Sequence, residues 1–178
     1  MSTVVLPTAR LELALLTPEE TLAFVEAMPP EDRAEVSPDW IARVRRTQAG
    51  DPWSLGFTVV ERESKASIGG CAFKGPPDAD GMVELAYGID ESHRCRGYAT
   101  EAAAALTEVA FTDERVRIVR AHSKPDNGPS ARVLEKCGFG RVGEVIDPED
   151  GLVCRWERAR KPVRMDEAEV RRAAEQAS

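Results

Sequence analysis

The chain has 178 residues and a mass of 19.5 kDa, with 42% hydrophobic and 31% charged side chains. That length favours one domain able to bury a core without staples, and the apolar fraction excludes disorder of the whole chain. A formal net charge of −7 and a pI near 5.0 argue against a sequence-independent nucleic-acid binder, whose affinity rests on phosphate contacts; the acidic surface either attracts a cationic substrate or only keeps the protein soluble.

No apolar run approaches the ~20 residues of a membrane span, and the first residues carry neither a basic nor a long apolar segment of a secretory signal. No nucleic-acid or membrane partner is expected, and the expected location is the cytoplasm. Cys71, Cys95, Cys137 and Cys154 show no C-x-x-C pair, and two histidines cannot supply a His-rich site, so no metal is expected.

Arg10 to Leu16 alternates and reads as a first strand. Thr17-Pro18-Glu19-Glu20 supplies an N-cap, a proline at the first helical position and an acid at the third, predicting a helix to about Met28. Pro29-Pro30 stops it. A second short helix is predicted after Ser37-Pro38-Asp39, turning Trp40, Ile41 and Val44 inward.

The period then changes. Phe57 to Glu61 and Ala66 to Phe73 read as a hairpin, Gly75 to Gly81 as a loop, and Met82 to Ile89 as a further strand whose Gly88 suggests a bulge or a close approach. A long helix follows from about Gly97 to Phe111, then a strand Val116–His122, a short helix Ser130–Lys136, and an antiparallel pair Phe139–Val145 and Leu152–Glu157. The fold class is α+β: a mixed, mostly antiparallel sheet with flanking helices and one strand–helix–strand crossover. Residues 1–160 are expected to form the domain and 161–178 a charged tail, with a helix over Asp166–Gln176.

Chemistry concentrates where Met82–Ile89 runs through Asp90-Glu91-Ser92-His93-Arg94-Cys95-Arg96-Gly97 into the long helix. Free N–H groups and the positive dipole end of a helix start make an anion site, and Gly97 removes a Cβ from the path of a phosphate. Arg94 and Arg96 add positive charge. Neither G-x-G-x-x-G nor G-x-x-x-x-G-K-[ST] is present.

Arg94-Cys95-Arg96-Gly97-Tyr98-Ala99 is similar to the [QR]-x-x-G-x-[GA] coenzyme A signature of the GCN5-related N-acetyltransferase superfamily. Asn127-Gly128-Pro129-Ser130-Ala131-Arg132-Val133-Leu134-Glu135-Lys136-Cys137-Gly138-Phe139 resembles that family's second block, N-x-x-[AS]-x-x-x-[YL]-E-K-x-G-F. The resemblance spans roughly Arg10 to Glu157, and its variant positions look most like the RimJ/RimL-like branch.

The resemblance implies acetyl-CoA as co-substrate and splayed fourth and fifth strands. The pantetheine arm would lie against the backbone of Tyr87, Gly88 and Ile89. The pyrophosphate would rest on the N–H groups of Arg94, Cys95, Arg96, Gly97, Tyr98, Ala99 and Thr100, and Asn127 would touch the arm from the opposite lip. A bulge at Tyr87–Gly88 would aim an N–H at the thioester oxygen.

Attack needs a neutral amine, so a base must take its proton. Glu84 is preferred and His122 is its competitor; strand register decides which of them faces the cleft. The family's acid is a tyrosine, replaced here by Leu134. Ser130 or a water is expected in its stead, unless Ser130 only caps its helix. Solvated Glu84 and structural His122 are the competing readings. Trp40 and Trp53 line either an acceptor pocket or the core, while Cys95 and Cys137 are not expected to be nucleophiles.

The expected activity is acetylation of a primary amine, on a small molecule or a peptide N-terminus. A silent acyl-CoA-binding module and a longer acyl donor are the alternatives. The acceptor segments, from Thr17 to Gln48, Gly75 to Gly81 and Asp147 to Gly151, hold more acids than arginines, which points to a cationic amine unless these acids only occupy solvated loops and helix starts. Assembly is left open between monomer and homodimer.

Overall fold

Leu11, Leu13 and Leu15 are all buried along strand β2 (Leu11–Leu15), the period-two pattern of a strand with one face on a core. The computed structural model describes residues 4–162 together with Arg172 and Glu175. The helix expected over Asp166–Gln176 otherwise lies outside the described residues. A short β1 (Val5–Pro7), not foreseen from the sequence, pairs with β2 at the sheet edge.

Helix α1 (Pro18–Glu26) starts with the expected capping box, in which Thr17 and Glu20 satisfy each other's backbone N–H groups. Pro29-Pro30 ends that helix but also begins another, α2 (Pro30–Ala34), because proline suits the first helical position. Helix α3 (Pro38–Val44) is capped by Ser37; it buries Val44 fully and Trp40 and Ile41 partly.

The hairpin is β3 (Gly56–Glu61) with β4 (Ser67–Phe73), and β5 (Met82–Ile89) follows. Next come α4 (Tyr98–Thr112), β6 (Ile118–Ser123), α5 (Gly128–Lys136), β7 (Gly140–Asp147) and β8 (Gly151–Ala159). The eight described strands form one sheet in the order β1-β2-β3-β4-β5-β6-β8-β7, antiparallel except for β5–β6. This is the expected α+β class.

The ladders decide the opening. Strand β5 pairs with β6 only from Met82 to Glu84, against Ile118 to Arg120. On its other side β5 pairs with β4 from Leu85 to Ile89. Beyond Glu84 the second edge of β5 is therefore unpaired, so the expected splay is present. The expected bulge at Tyr87–Gly88 is not: the β4–β5 ladder runs there without a register shift. Backbone is freed at this point by the end of parallel pairing, not by a kink.

The two faces of the sheet differ. Val83, Leu85 and Ile89 are buried, and α4 packs along β5 with Ala102, Ala103, Leu106 and Ala110 inward. On the opposite face a Cβ on Gly70 would stand 2.9 Å from the Phe24 ring of α1. Gly70 pairs with Gly88 and Ala72 with Ala86, giving a floor of small residues open enough that a Cβ on Gly88 would meet nothing within 4 Å.

Candidate active site

The anion cradle forms where β5 turns into α4. A 3-10 turn at Glu91–His93 leads to Cys95 at φ 62° and to Gly97, the helix N-cap, at φ 81°. Glycine suits this left-handed position, which costs other residues roughly 1–2 kcal/mol. The N–H groups of Tyr98, Ala99 and Thr100 begin the helix and have no intrahelical acceptor. Arg94 is a strut more than a free charge, because its Nε donates to the Ile89 carbonyl at 2.9 Å.

The cradle is pinned by a residue that motif reading passed over. Arg10, in the β1–β2 turn, donates from Nη1 to the Arg96 carbonyl at 2.9 Å. Its Nε meets Glu101 Oε2 at 2.8 Å, its N–H meets Glu101 Oε1 at 2.7 Å, and its guanidinium lies over the Tyr98 ring. The Thr8 hydroxyl also donates to Glu101. Burial alone would raise the Glu101 carboxyl, yet these donors hold it below the usual range.

Along β5, Lys74 N–H donates to the Glu84 carbonyl and Asp90 N–H to the Ile68 carbonyl. Even-numbered residues thus turn their backbone groups to β4. Leu85, Tyr87 and Ile89 turn theirs to the open edge. Of the three residues expected to pair with an inserted arm, Tyr87 and Ile89 have the right orientation. Gly88 offers instead a missing side chain.

Strand register, expected to choose between Glu84 and His122, does not separate them. They lie on one face, with Glu84 Oε1 3.1 Å from His122 Nδ1. Glu84 is not a solvated strand residue: its side chain is 17% exposed and that of His122 is 7% exposed. Both atoms are buried without an aligned hydrogen bond. Lys74 Nζ stands 2.8 Å from Glu84 Oε1 and 3.6 Å from Asp150 Oδ2, and Asp147 Oδ2 is 3.8 Å from His122 Nδ1. Burial would raise the Glu84 carboxyl, but His122 and Lys74 together hold it below the ordinary range. The same burial would lower Lys74, and Glu84, Asp150 and Asp147 raise it instead. Arg155 Nε faces His122 Nε2 at 3.4 Å, leaving Nδ1 to carry a proton toward Glu84.

The cap of α5 is Asn127, whose Oδ1 accepts the Ser130 N–H at 3.1 Å; Ser130 is therefore not the cap. Its hydroxyl lies 3.0 Å from the Tyr87 hydroxyl. Leu134 is fully buried. Trp53 packs its ring against Phe73 in the core, whereas Trp40 keeps a buried Nε1 without a partner. The four cysteines are free, and burial pushes the Cys71 thiol up to about 12 and raises Cys137.

The acid count behind the cationic-acceptor expectation narrows. Glu20 is spent in its capping box, Glu35 on Lys124, Glu149 on Ser37, and Asp78 on its own turn. Asp147 and Asp150 alone of those acids join Glu84. Lys74 was missed, although extending the β4–β5 ladder by one step sets it opposite Glu84.

An open α+β sheet that splays beside a helix-start anion cradle defines an acyl-CoA-binding class of fold. The family model of the acetyltransferase (GNAT) domain matches residues 8–140, and the chain belongs to that family. It is 37% identical over 93 residues to the uncharacterized N-acetyltransferase YjdG of Bacillus subtilis (strain 168), covering 52% of this chain and 53% of that protein. The chain thus matches about half the length of that curated relative.

Among solved structures it resembles AAC(6')-Ib in complex with ribostamycin and coenzyme A (TM-score 0.66, 20% identity, 88% of this chain and 99% of that one). It also resembles RimL, a ribosomal L7/L12 alpha-N-protein acetyltransferase in complex with coenzyme A (TM-score 0.67, 16% identity, 88% and 98%). Among the described residues no helix is long and apolar enough to cross a membrane, and no group of three or more His, Cys, Asp or Glu side chains is placed to hold a metal.

Proposed function

We propose that the protein is an acetyl-CoA-dependent N-acetyltransferase that moves the acetyl group directly to a cationic primary amine. The observation that carries this reading is the buried Glu84–His122 pair, set at the point where β5 loses its parallel partner. An arm laid along the open backbone of Leu85 and Tyr87 and the N–H of Ile89, whose carbonyl Arg94 already takes, has its pyrophosphate end at the α4 cradle and its acyl end toward that pair. The family assignment and the coenzyme A complexes of two structural neighbours support the same donor.

The amine arrives as an ammonium and must lose a proton before it attacks. Glu84, held ionised, attracts the cation and orients the His122 ring, and the pair takes the proton directly or through a water. Asp147 and Asp150 add negative charge on the acceptor side, and Lys74 keeps the carboxylates from repelling one another. The acceptor lies beside the Phe24 ring that covers Gly70, over Gly88, where a Cβ would meet nothing within 4 Å and a slender chain fits. That space suits a small-molecule amine ahead of a peptide N-terminus. The two neighbours represent one of each: the first binds ribostamycin, and the second is an alpha-N-protein acetyltransferase.

Calorimetry with acetyl-CoA, followed by thiol release across a panel of amines and acyl donors, tests the reading. Acetyl-CoA binding and turnover on polyamines or aminoglycosides is the expected result. Binding without turnover on any amine makes the domain a silent acyl-CoA-binding module, and preference for a longer acyl-CoA changes the donor.

A further inference from the structure

Amine acetylation needs a primary amine beside a base, and this chain already holds one there. Its five lysines are Lys65, Lys74, Lys124, Lys136 and Lys161. Lys65 pairs with Glu12 and Lys124 with Glu35 out on the surface, their side chains 66% and 52% exposed. Lys136 and Lys161 are exposed as well. Lys74 is 31% exposed, and its Nζ stands 2.8 Å from Glu84 Oε1.

The sheet puts it there. Phe73 pairs with Leu85, so the next rung sets Lys74 opposite Glu84. Its N–H donates to the Glu84 carbonyl and its own carbonyl accepts from Arg43 of α3, which fixes the backbone from both sides. Along this face the rungs run Gly70–Gly88, Ala72–Ala86 and then Lys74–Glu84, so the amine closes the end of the small-residue floor. The second edge of β5 opens just beyond the same rung. His122 turns a buried, unpartnered Nδ1 into the cluster, a second group able to take a proton. Lys74 Nζ thus stands at Glu84 where an acceptor ammonium would arrive.

Resting on the acetyltransferase reading, we propose that Lys74 is an acceptor within the chain, acetylated on Nζ by the protein's own bound acetyl-CoA when no free amine occupies the site. The Lys74 ammonium passes one proton to the Glu84–His122 pair, and the neutral nitrogen attacks the acetyl carbon. The N–C bond forms as the C–S bond breaks, the electron pair leaves on sulfur, and the second nitrogen proton goes to that thiolate. The products are acetylated Lys74 and free coenzyme A, and the first proton is released to water. Burial favours the neutral amine, but Glu84, Asp150 and Asp147 hold its proton on, so the step is slow and a free acceptor outruns it.

The test incubates the full chain with acetyl-CoA and no amine, and follows intact mass and the acetylated peptides over time. Lys74 should gain one acetyl group ahead of the exposed Lys65 and Lys124, at a rate per molecule independent of protein concentration, and Lys74→Arg should abolish that gain. Glu84→Gln and His122→Ala should each slow it by ~10²-fold or more, as loss of a base does. Uncatalysed acetylation behaves oppositely, because losing the Glu84 carboxylate makes Lys74 easier to deprotonate. Acetyl-CoA bound by calorimetry with Lys74 unmodified, or modified as fast in both variants, overturns the proposal and leaves the acetyltransferase reading standing. Failure of the wild type to bind acetyl-CoA overturns both.

Discussion

Glu84 Oε1 and His122 Nδ1 face each other at 3.1 Å just past the rung Glu84–Arg120, the last that joins β5 to β6. Because the strands are parallel and have begun to part, the side chains converge while the backbones leave a gap. Each is a buried polar group whose nearest charged neighbours are the other, Lys74 and Asp147, and both stand beside an open strand edge.

Glu84→Gln and His122→Ala should each lower kcat by ~10²–10⁴-fold, the range for loss of a general base, while acetyl-CoA affinity stays near wild type. The double variant should lose little more than either single one, since the two act as a unit. Full activity in both single variants, measured by thiol release, would move the proton transfer to water.

Lys74→Met removes a cation that holds the Glu84 carboxyl down. A lowered carboxyl adds stability that is present above its unfolded pKa and is lost as pH falls through the folded one. Raised Lys74 adds stability present below its unfolded pKa and lost as pH rises through the folded value. The stability gap between wild type and variant, followed through Tm, should thus be widest at neutral pH, on the order of 1 kcal/mol, and should close in acid and in strong alkali. A gap that ignores pH would show that the ion pair adds nothing.

Gly97→Ala should cost about 1–2 kcal/mol of stability, because φ 81° strains any Cβ. Gly97→Glu adds a carboxylate facing the pyrophosphate and should abolish acetyl-CoA binding by calorimetry. The comparison separates strain from repulsion; equal affinities in the two folded variants would remove Gly97 from the cofactor site.

Arg10→Met should weaken acetyl-CoA binding by up to about fivefold without changing kcat, since Arg10 shapes the cradle through Arg96 and Glu101 and has no part in the chemistry. A fall in kcat at saturating donor would contradict that assignment.

Leu134→Tyr restores the family's residue at a position with no exposed surface. Overpacking there should cost roughly 1–3 kcal/mol and leave kcat no higher. A rise in kcat would mean that α5 can turn position 134 toward the thiolate.

By itself the sequence determined the order of the longer elements, the caps of α1 and α3 and the glycine that opens α4, but not β1, α2 or the Asn127 cap of α5. The features it determined are local properties: the alternation of Leu11, Leu13 and Leu15, the Thr17–Glu20 box, and Gly97 placed between a strand and a helix. It also brought Glu84, His122 and Ser130 forward as candidates. The tertiary structure alone decided their relations. Glu84 and His122 meet because the parallel ladder stops at Glu84, and where a ladder stops depends on how the two strands joined through α4 diverge. Ser130 is matched to Tyr87, and Asn127 takes its capping role, because α5 docks across the gap. Arg10 reaches Glu101 across 91 positions. Contacts of that separation follow from packing whole elements together, and no local pattern of residue types encodes them.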